Sequence, residues 1–359
     1  MTSVSVRKVD DYDVNRIYGA ICIHLEALDI ARELHPDMRV LVKPNMLLAK
    51  DPAKAATTHP AFLRALLLRL RELKMKTIVL ADSSGGLYNE RALKKAYDAC
   101  GFSALSDLAA LNFDTSSGMR NGFQIITPVL EADYIINCAK LKTHALMVMT
   151  AAVKNMFGSV PGLKKAEYHC TKATIEPFTR MILDLHETVK PHLNLVDAID
   201  CMEGNGPSGG TIRHMGYTLA SKCAYAADEV CAELMHINPS MVRTIHWARK
   251  RGFIDPSAVQ KVGDALMPAN PPFTLPDSII KSESALTMGG FRRAIWGRTS
   301  TRPVVNPSKC IGCGICMEGC PKHIITVTDK IAFIPKKGCI SCYCCQELCP
   351  EQAIDIRKR

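Results

Sequence analysis

The sequence predicts an α/β fold, a mostly parallel sheet with helices on both faces, joined to a small C-terminal α+β domain. Three observations predict it. Short runs rich in β-branched residues alternate with helix-length amphipathic segments over residues 1–267. The strand candidates are apolar throughout instead of alternating, which suits strands covered on both sides. Nine of the sixteen cysteines fall in the last fifty residues, a composition of their own.

The strand candidates are residues 4–9, 39–42, 77–80, 134–137 and 193–196. Between them, apolar residues recur at helical spacing over 14–34, 61–74, 90–100, 175–189 and 225–236. Strand–helix alternation of this kind builds crossover units and hence a parallel sheet. In such sheets ligands bind at the carboxyl ends of the strands, so the polar residues just after each strand carry the interest. Residues 268–302 change character, first proline-rich (PANPPFTLP) and then basic (GGFRRAIWGRTSTRP), and are expected to form a linker. Residues 303–359 form the cysteine-rich domain.

Composition excludes several classes. With 47% hydrophobic residues, 359 residues can bury a normal core. No apolar run is long enough to span a membrane; the best, 61–73, is broken by Arg64, Arg69 and Arg71. The N-terminus MTSVSVRKVDDYDV has no apolar core for a secretory signal, so a cytoplasmic location is expected. No basic block with interleaved aromatics points to nucleic acid. The formal charge is +10. That balance favours an acidic redox partner or an anionic substrate.

The tail holds Cys310-x-x-Cys313-x-x-Cys316-x-x-x-Cys320-Pro321 and then Cys339-x-x-Cys342-x-x-Cys345-x-x-x-Cys349-Pro350. Two residues between thiolates let a tight loop wrap three corners of a cube, with Gly312 and Gly314 easing the turn. A zinc ribbon would need two CxxC pairs, not two matching quartets. The repeated spacing resembles the bacterial dicluster ferredoxins, whose fourth cysteine crosses to the other cluster. That resemblance implies two [4Fe–4S] clusters, one held by Cys310, Cys313, Cys316 and Cys349, the other by Cys339, Cys342, Cys345 and Cys320. Cys344 is left over, an unligated thiol beside the ligands.

Four polar groups follow strands in the large domain. Lys43 and Asn45 follow the second, and Asp82 with its Ser-Ser-Gly-Gly turn follows the third. Lys140, Lys142, His144, Lys154 and Asn155 follow the fourth; Asp197 and the loop Glu203-Gly-Asn205-Gly-Pro-Ser-Gly-Gly follow the fifth. The loop spells GxGxxG, yet the segment after it, TIRHMGYTLAS, has the pattern of a strand and not of the helix that a dinucleotide fingerprint requires. The motifs VKPN, ADSSGG, NCAKLKTH…AAVKNMFG, VDAI…EGNGPSGG and the AAD at Asp228 resemble the DUF362 family, which is often fused to a dicluster ferredoxin tail. One departure is KCAYAAD, where members often carry an aspartate–proline pair. The resemblance implies an architecture and a site, not a reaction.

Residue chemistry gives the expected roles. Lys140, Lys142, His144 and Lys154 are candidate catalytic groups, able to hold an anion and supply protons. Lys43, Asn45, Asp82, Asn155, Asp197, Glu203, Asn205 and Asp228 are candidate substrate-binding groups, and the acidic ones are equally suited to a divalent ion or to helix capping. The leading expectation is an iron–sulfur oxidoreductase. It takes electrons from a ferredoxin-like or other redox protein and passes them through the tail to an anionic small molecule or bound cofactor. The alternative is a non-enzymatic electron-transfer or maturation protein whose large domain docks a partner.

Overall fold

A computed structural model describes residues 1–85, 89–162, 164–172, 174–280 and 301–358. The chain begins with β1 (Thr2–Lys8), α1 (Val14–Ala27), β2 (Arg39–Lys43), α2 (Pro60–Glu72), β3 (Thr77–Leu80), α3 (Glu90–Ala99) and β4 (Ala110–Leu111). A hairpin of β5 (Ser117–Arg120) and β6 (Phe123–Ile126) leads through α4 (Thr127–Leu130) to β7 (Tyr134–His144) and β8 (Val148–Thr150). Then come α5 (Ala152–Asn155), α6 (Lys164–Thr171), α7 (Ile175–Val189), β9 (Leu193–Glu203), β10 (Thr211–Ser221), α8 (Ala224–Leu234), α9 (Arg243–Lys250) and β11 (Val259–Gly263).

Local chemistry sets the helix starts. The Asp13 carboxylate accepts from Arg16 N at α1, and the Asn89 side chain accepts from Ala92 N at α3. His59 caps α2, where Pro60 occupies the first turn. After α1 the left-handed Asp29 breaks the helix predicted to reach residue 34, and only a 3-10 turn follows.

Among the described residues the main sheet has the order β11-β1-β10-β9-β7-β2-β3-β4, with β8 on β7. The run from β9 through β7, β2 and β3 to β4 is parallel, while β10 is antiparallel to both its neighbours. The sheet is therefore mixed and mostly parallel, as expected. Alternation along each strand divides the core in two. Val40, Val42, Ile78, Leu80 and Ile136 face α1, α2 and α3, whereas Leu41, Val79, Ile135 and Ala139 face α5, α7, α8 and α9.

Two strands run further than the sequence suggested. β7 continues to His144 and is buried at every position, and β9 continues to Glu203. Lys140 and Lys142 are thus strand residues, not loop residues; each is tolerated there because its ammonium finds buried acceptors. The expected linker also starts later than residue 268. Ala269, Phe273 and Ile279 are buried in the large domain, and Ala269 N and Phe273 N donate to Leu234 O and Met235 O. The remainder of the expected linker, 281–300, lies outside the described residues.

The tail repeats one unit. β12 (Thr301–Val305) pairs antiparallel with β15 (Ile354–Lys358), and β13 (Thr326–Thr328) pairs with β14 (Ile331–Phe333). Each cysteine loop runs into a short helix, α10 (Ile315–Glu318) or α11 (Cys344–Leu348). The glycine loop after β9 seats this unit on the large domain. Ser208 Oγ donates to Glu347 O at 2.7 Å, and Lys50 Nζ donates to Ser208 O at 2.9 Å.

Candidate functional site

The carboxyl ends of β2, β3 and β7, the segment from α5 to α6 and helix α11 enclose a cavity of about 90 Å³. Its large-domain wall carries Asn45, Asp82, Lys142, His144, Lys154, Asn155, Lys165 and His169, and its opposite wall carries Cys344, Glu347 and Leu348. Cys344 and Glu347 lie between the cysteines of the second quartet. The polar basin and the cysteine tail therefore share one chamber.

Its cations differ in how they are committed. Lys142 Nζ donates to Asn45 Oδ1 and Ala56 O, both at 2.6 Å, which leaves one of its three donors. Burial, then Lys154 and Lys140, pull its pKa down to about 7. Lys165 is also pulled down to about 7, chiefly by burial, but its ammonium holds Ser83 O, Ser83 Oγ and Ser84 O. It clamps the turn after β3. Lys154 Nζ lies 4.7 Å from the Phe157 ring centroid, and burial lowers its pKa, opposed by Glu347 and Cys344. No protein acceptor holds that ammonium among the described residues, so it is the cation best able to meet a ligand.

His144 has a defined tautomer. Its Nδ1 accepts from Leu146 N at 3.1 Å and Met147 N at 3.3 Å, so Nε2 carries the proton. Burial, with Lys154, His169 and Lys142 nearby, keeps the ring neutral. Nε2 faces Glu347 Oε1 at 3.3 Å, an oxygen without an aligned hydrogen bond. Asn45, Asn137 and Asn155 form an amide chain behind the cavity, with Asn45 Nδ2 donating to Asn155 Oδ1 and Asn155 Nδ2 to Asn137 Oδ1.

Two small cavities lie among the cysteines of the tail. One small cavity is lined by Cys310, Cys313, Cys316 and Cys349, another by Cys320, Cys339, Cys342 and Cys345. Backbone donors serve the sulfurs: Ala332 N donates to Cys310 Sγ and Ala353 N to Cys349 Sγ. Four thiolates around an apolar hollow fit an iron–sulfur cube, whose charge such N–H groups stabilise.

Residues 40–233 match the family described as "Domain of unknown function (DUF362)". The chain belongs to the DUF362 family. Residues 303–326 match the "4Fe-4S binding domain", so this DUF362 protein carries a [4Fe–4S]-binding, electron-transfer tail. It is 28% identical over 271 residues to "Thylakoid-associated protein sll1697" of Synechocystis sp., covering 72% of this chain and 82% of that protein. A solved structure, the lactate racemase apoprotein from Thermoanaerobacterium thermosaccharolyticum, aligns with a TM-score of 0.43 at 13% identity. That alignment covers 66% of this chain and 58% of the racemase, less than two thirds of its length. Among the described residues no helix is long and apolar enough to cross a membrane.

Several residues expected at the DUF362 site serve elsewhere. Lys140 does not line the cavity; its Nζ pairs with Asp197 at 2.9 Å and donates to Tyr12 Oη, and both charged side chains are almost wholly buried. Glu203 pairs with Arg213 and accepts from Thr274 N, while Asn205 Oδ1 accepts from Asp277 N. Both brace the loop that seats the tail. Asp228 Oδ1 accepts from Ala152 N and Val153 N at the start of α5, and burial pushes its pKa up to about 8. Lys43 is fully buried against Asp82 at 2.8 Å, and only Asp82 reaches the cavity. The acidic residues are thus parted among separate partners. Among the described residues no three His, Cys, Asp or Glu side chains gather closely enough to hold a single metal ion. Lys165, His169 and Glu347 were not anticipated. Lys165 sits in KKAE, which has the pattern of a solvated helix, and Glu347 is hidden among ligand cysteines.

Proposed function

We propose that this chain is a two-cluster iron–sulfur electron-transfer protein that reduces a small anion held in the chamber between its two domains. One observation carries the reading: the cavity that presents the uncommitted Lys154 ammonium is closed on its other side by α11, the helix inside the second cysteine quartet. The two four-cysteine cavities support two [4Fe–4S] clusters. When bound, these supply electrons one at a time.

The chain's own residues supply the rest. Lys154 binds the anion by charge-assisted hydrogen bonds. Lys142 offers its free N–H and, with a pKa near 7, a proton that can leave at neutral pH. The His144 Nε2–H is a neutral donor that sets the anion's orientation. Leu47, Leu348 and Phe157 line the chamber with apolar surface, which strengthens each of these contacts. The thiol-rich tail suits a reducing, low-oxygen cytoplasm.

The test is anaerobic purification with iron and sulfide counted, followed by calorimetric titration with phosphate, nitrite, sulfite, acetate and fumarate. About eight irons are expected per chain, unchanged in Cys344→Ala. At least one small anion should bind, and Lys154→Ala should weaken it about tenfold or more, the worth of one charge-assisted hydrogen bond. About four irons would remove the second cluster. An anion affinity indifferent to Lys154→Ala would remove the site.

A further inference from the structure

We propose that the face around the first cysteine loop is the docking surface for an acidic one-electron carrier protein, which loads electrons through the Cys310–Cys316 side of the tail. The proposal rests on the preceding reading only for the direction of electron flow.

The face is unlike the rest of the molecule. Of the twelve exposed large hydrophobic side chains among the described residues, five fall between residues 311 and 333: Ile311, Ile315, Met317, Ile331 and Phe333. Phe333 is 65% exposed and Ile311 58%. Folding gives no reason to leave so much apolar surface in water, and its concentration in one small segment marks an interaction surface.

Two parts of the segment, the first cysteine loop and the β13–β14 hairpin, are also brought together in space. A Cβ on Gly312 would lie 2.6 Å from the Lys330 backbone, so the first cysteine loop is pressed against the turn between β13 and β14. Ala332, between the two exposed β14 side chains, turns inward and donates its N–H to Cys310 Sγ. Ile331 and Phe333 are therefore the outer side of a strand whose inner side serves the first thiolate set.

The same face offers the route for an electron. Cys313 is the exposed sulfur of the first set, whose Cys316 and Cys349 are buried, whereas the other set has Cys320 and Cys345 buried and Cys339 and Cys342 half-buried. The second set adjoins the inner chamber through Gly319 and Cys344. The first set thus reaches solvent at Cys313, while Gly319 and Cys344, chain neighbours of the second set's cysteines, line the cavity.

Charge selects the partner. From 309 to 337 the exposed charged residues are Lys309, Lys322, Lys330, Lys336 and Lys337 against Glu318 and Asp329. None of these seven forms an ion pair among the described residues. Exposed apolar side chains in a segment of net positive charge suit a partner with an acidic margin, which such charges steer into contact. One electron leaves the carrier's reduced centre and one is gained by this chain, and no bond is made or broken.

The experiment uses the full-length, cluster-loaded protein and a pre-reduced, acidic plant-type [2Fe–2S] ferredoxin, followed by stopped-flow spectroscopy. Lys330→Glu with Phe333→Ser should slow the transfer about tenfold or more, and raising the salt should slow the parent likewise. Reduction by dithionite, which needs no docking, should be unchanged, as should ferredoxin transfer to a Lys8→Glu, Lys250→Glu control. If the first variant takes dithionite electrons poorly, Lys322→Glu with Lys336→Glu provides the second comparison. Transfer rates indifferent to salt and to both face variants overturn the proposal. Lys154→Ala should accept electrons at the parent rate, so loss of the cavity reading and loss of the docking face give different results.

Discussion

Replacing Lys140 by alanine distinguishes a structural lysine from a catalytic one. In the fold its ammonium lies 2.9 Å from Asp197 Oδ2 and donates to Tyr12 Oη, with both charged side chains sealed from solvent. Removing one partner of a buried ion pair strands the other charge, at about 3–5 kcal/mol. Asp197 would keep the Tyr12 hydroxyl at 3.0 Å, His59 N at 3.0 Å and Ile199 N at 3.3 Å. Those three donors place the cost at the lower end, about 3 kcal/mol. At about 2 °C per kcal/mol for a domain of this size, the melting temperature should fall by about 6 °C. Circular dichroism under anaerobic conditions reads the fall, and calorimetry should find anion binding within about twofold of the parent. Pairing Lys140→Ala with Asp197→Leu should recover part of the loss, because no buried charge is then stranded. An unchanged melting temperature with abolished anion binding would refute the reasoning and return Lys140 to the site.

Three further outcomes follow from the same geometry. Lys142 faces Lys140, Lys154, Glu347 and Asp82, and it is charged below its native pKa of about 7. Anion affinity should therefore fall as pH rises through and above about 7, and Lys142→Met should flatten that profile when binding is titrated across pH. The linked stability has a definite sign. Lys142 and Lys165 hold their protons up to about 10.5 when unfolded but only to about 7 when folded, so free-protein stability should rise between those values. Denaturant midpoints measured with and without Lys142→Met check the slope. Gly158 allows close approach of the Lys43–Asp82 pair: a Cβ there would lie 2.2 Å from Asp82 Oδ1 and 2.5 Å from Lys43 Nζ. Gly158→Ala should cost about 3 kcal/mol by prising that pair apart, seen as a lower denaturant midpoint; an unperturbed midpoint would show that the backbone yields instead.

Much of this was legible in the sequence. The matched cysteine quartets announced the cluster tail because a cube imposes its own spacing on the loop that wraps it. The strand–helix alternation announced the parallel sheet, since apolar runs of strand length must be covered on both faces. Lys142, His144, Lys154, Asn45, Asp82 and Asn155 could be expected at one edge because each lies at or beyond the carboxyl end of a strand of that sheet, and all six line the chamber.

Only the tertiary structure could separate Lys140 from Lys142. The register of β7 against β9 sets Lys140 beside Asp197 and Lys142 beside Met202, with an irregularity between them. One ammonium therefore meets a carboxylate and is neutralised, while the other hydrogen-bonds Asn45 and Ala56 instead and keeps a donor for a ligand. Strand register depends on packing across the whole sheet, so two lysines in the same motif cannot be told apart from their neighbours in sequence. Cys344 and Glu347 follow the same logic. The quartet's spacing set four sulfurs apart from the residues between them, but only the docking of α11 against the glycine loop turned those intervening residues toward the cavity.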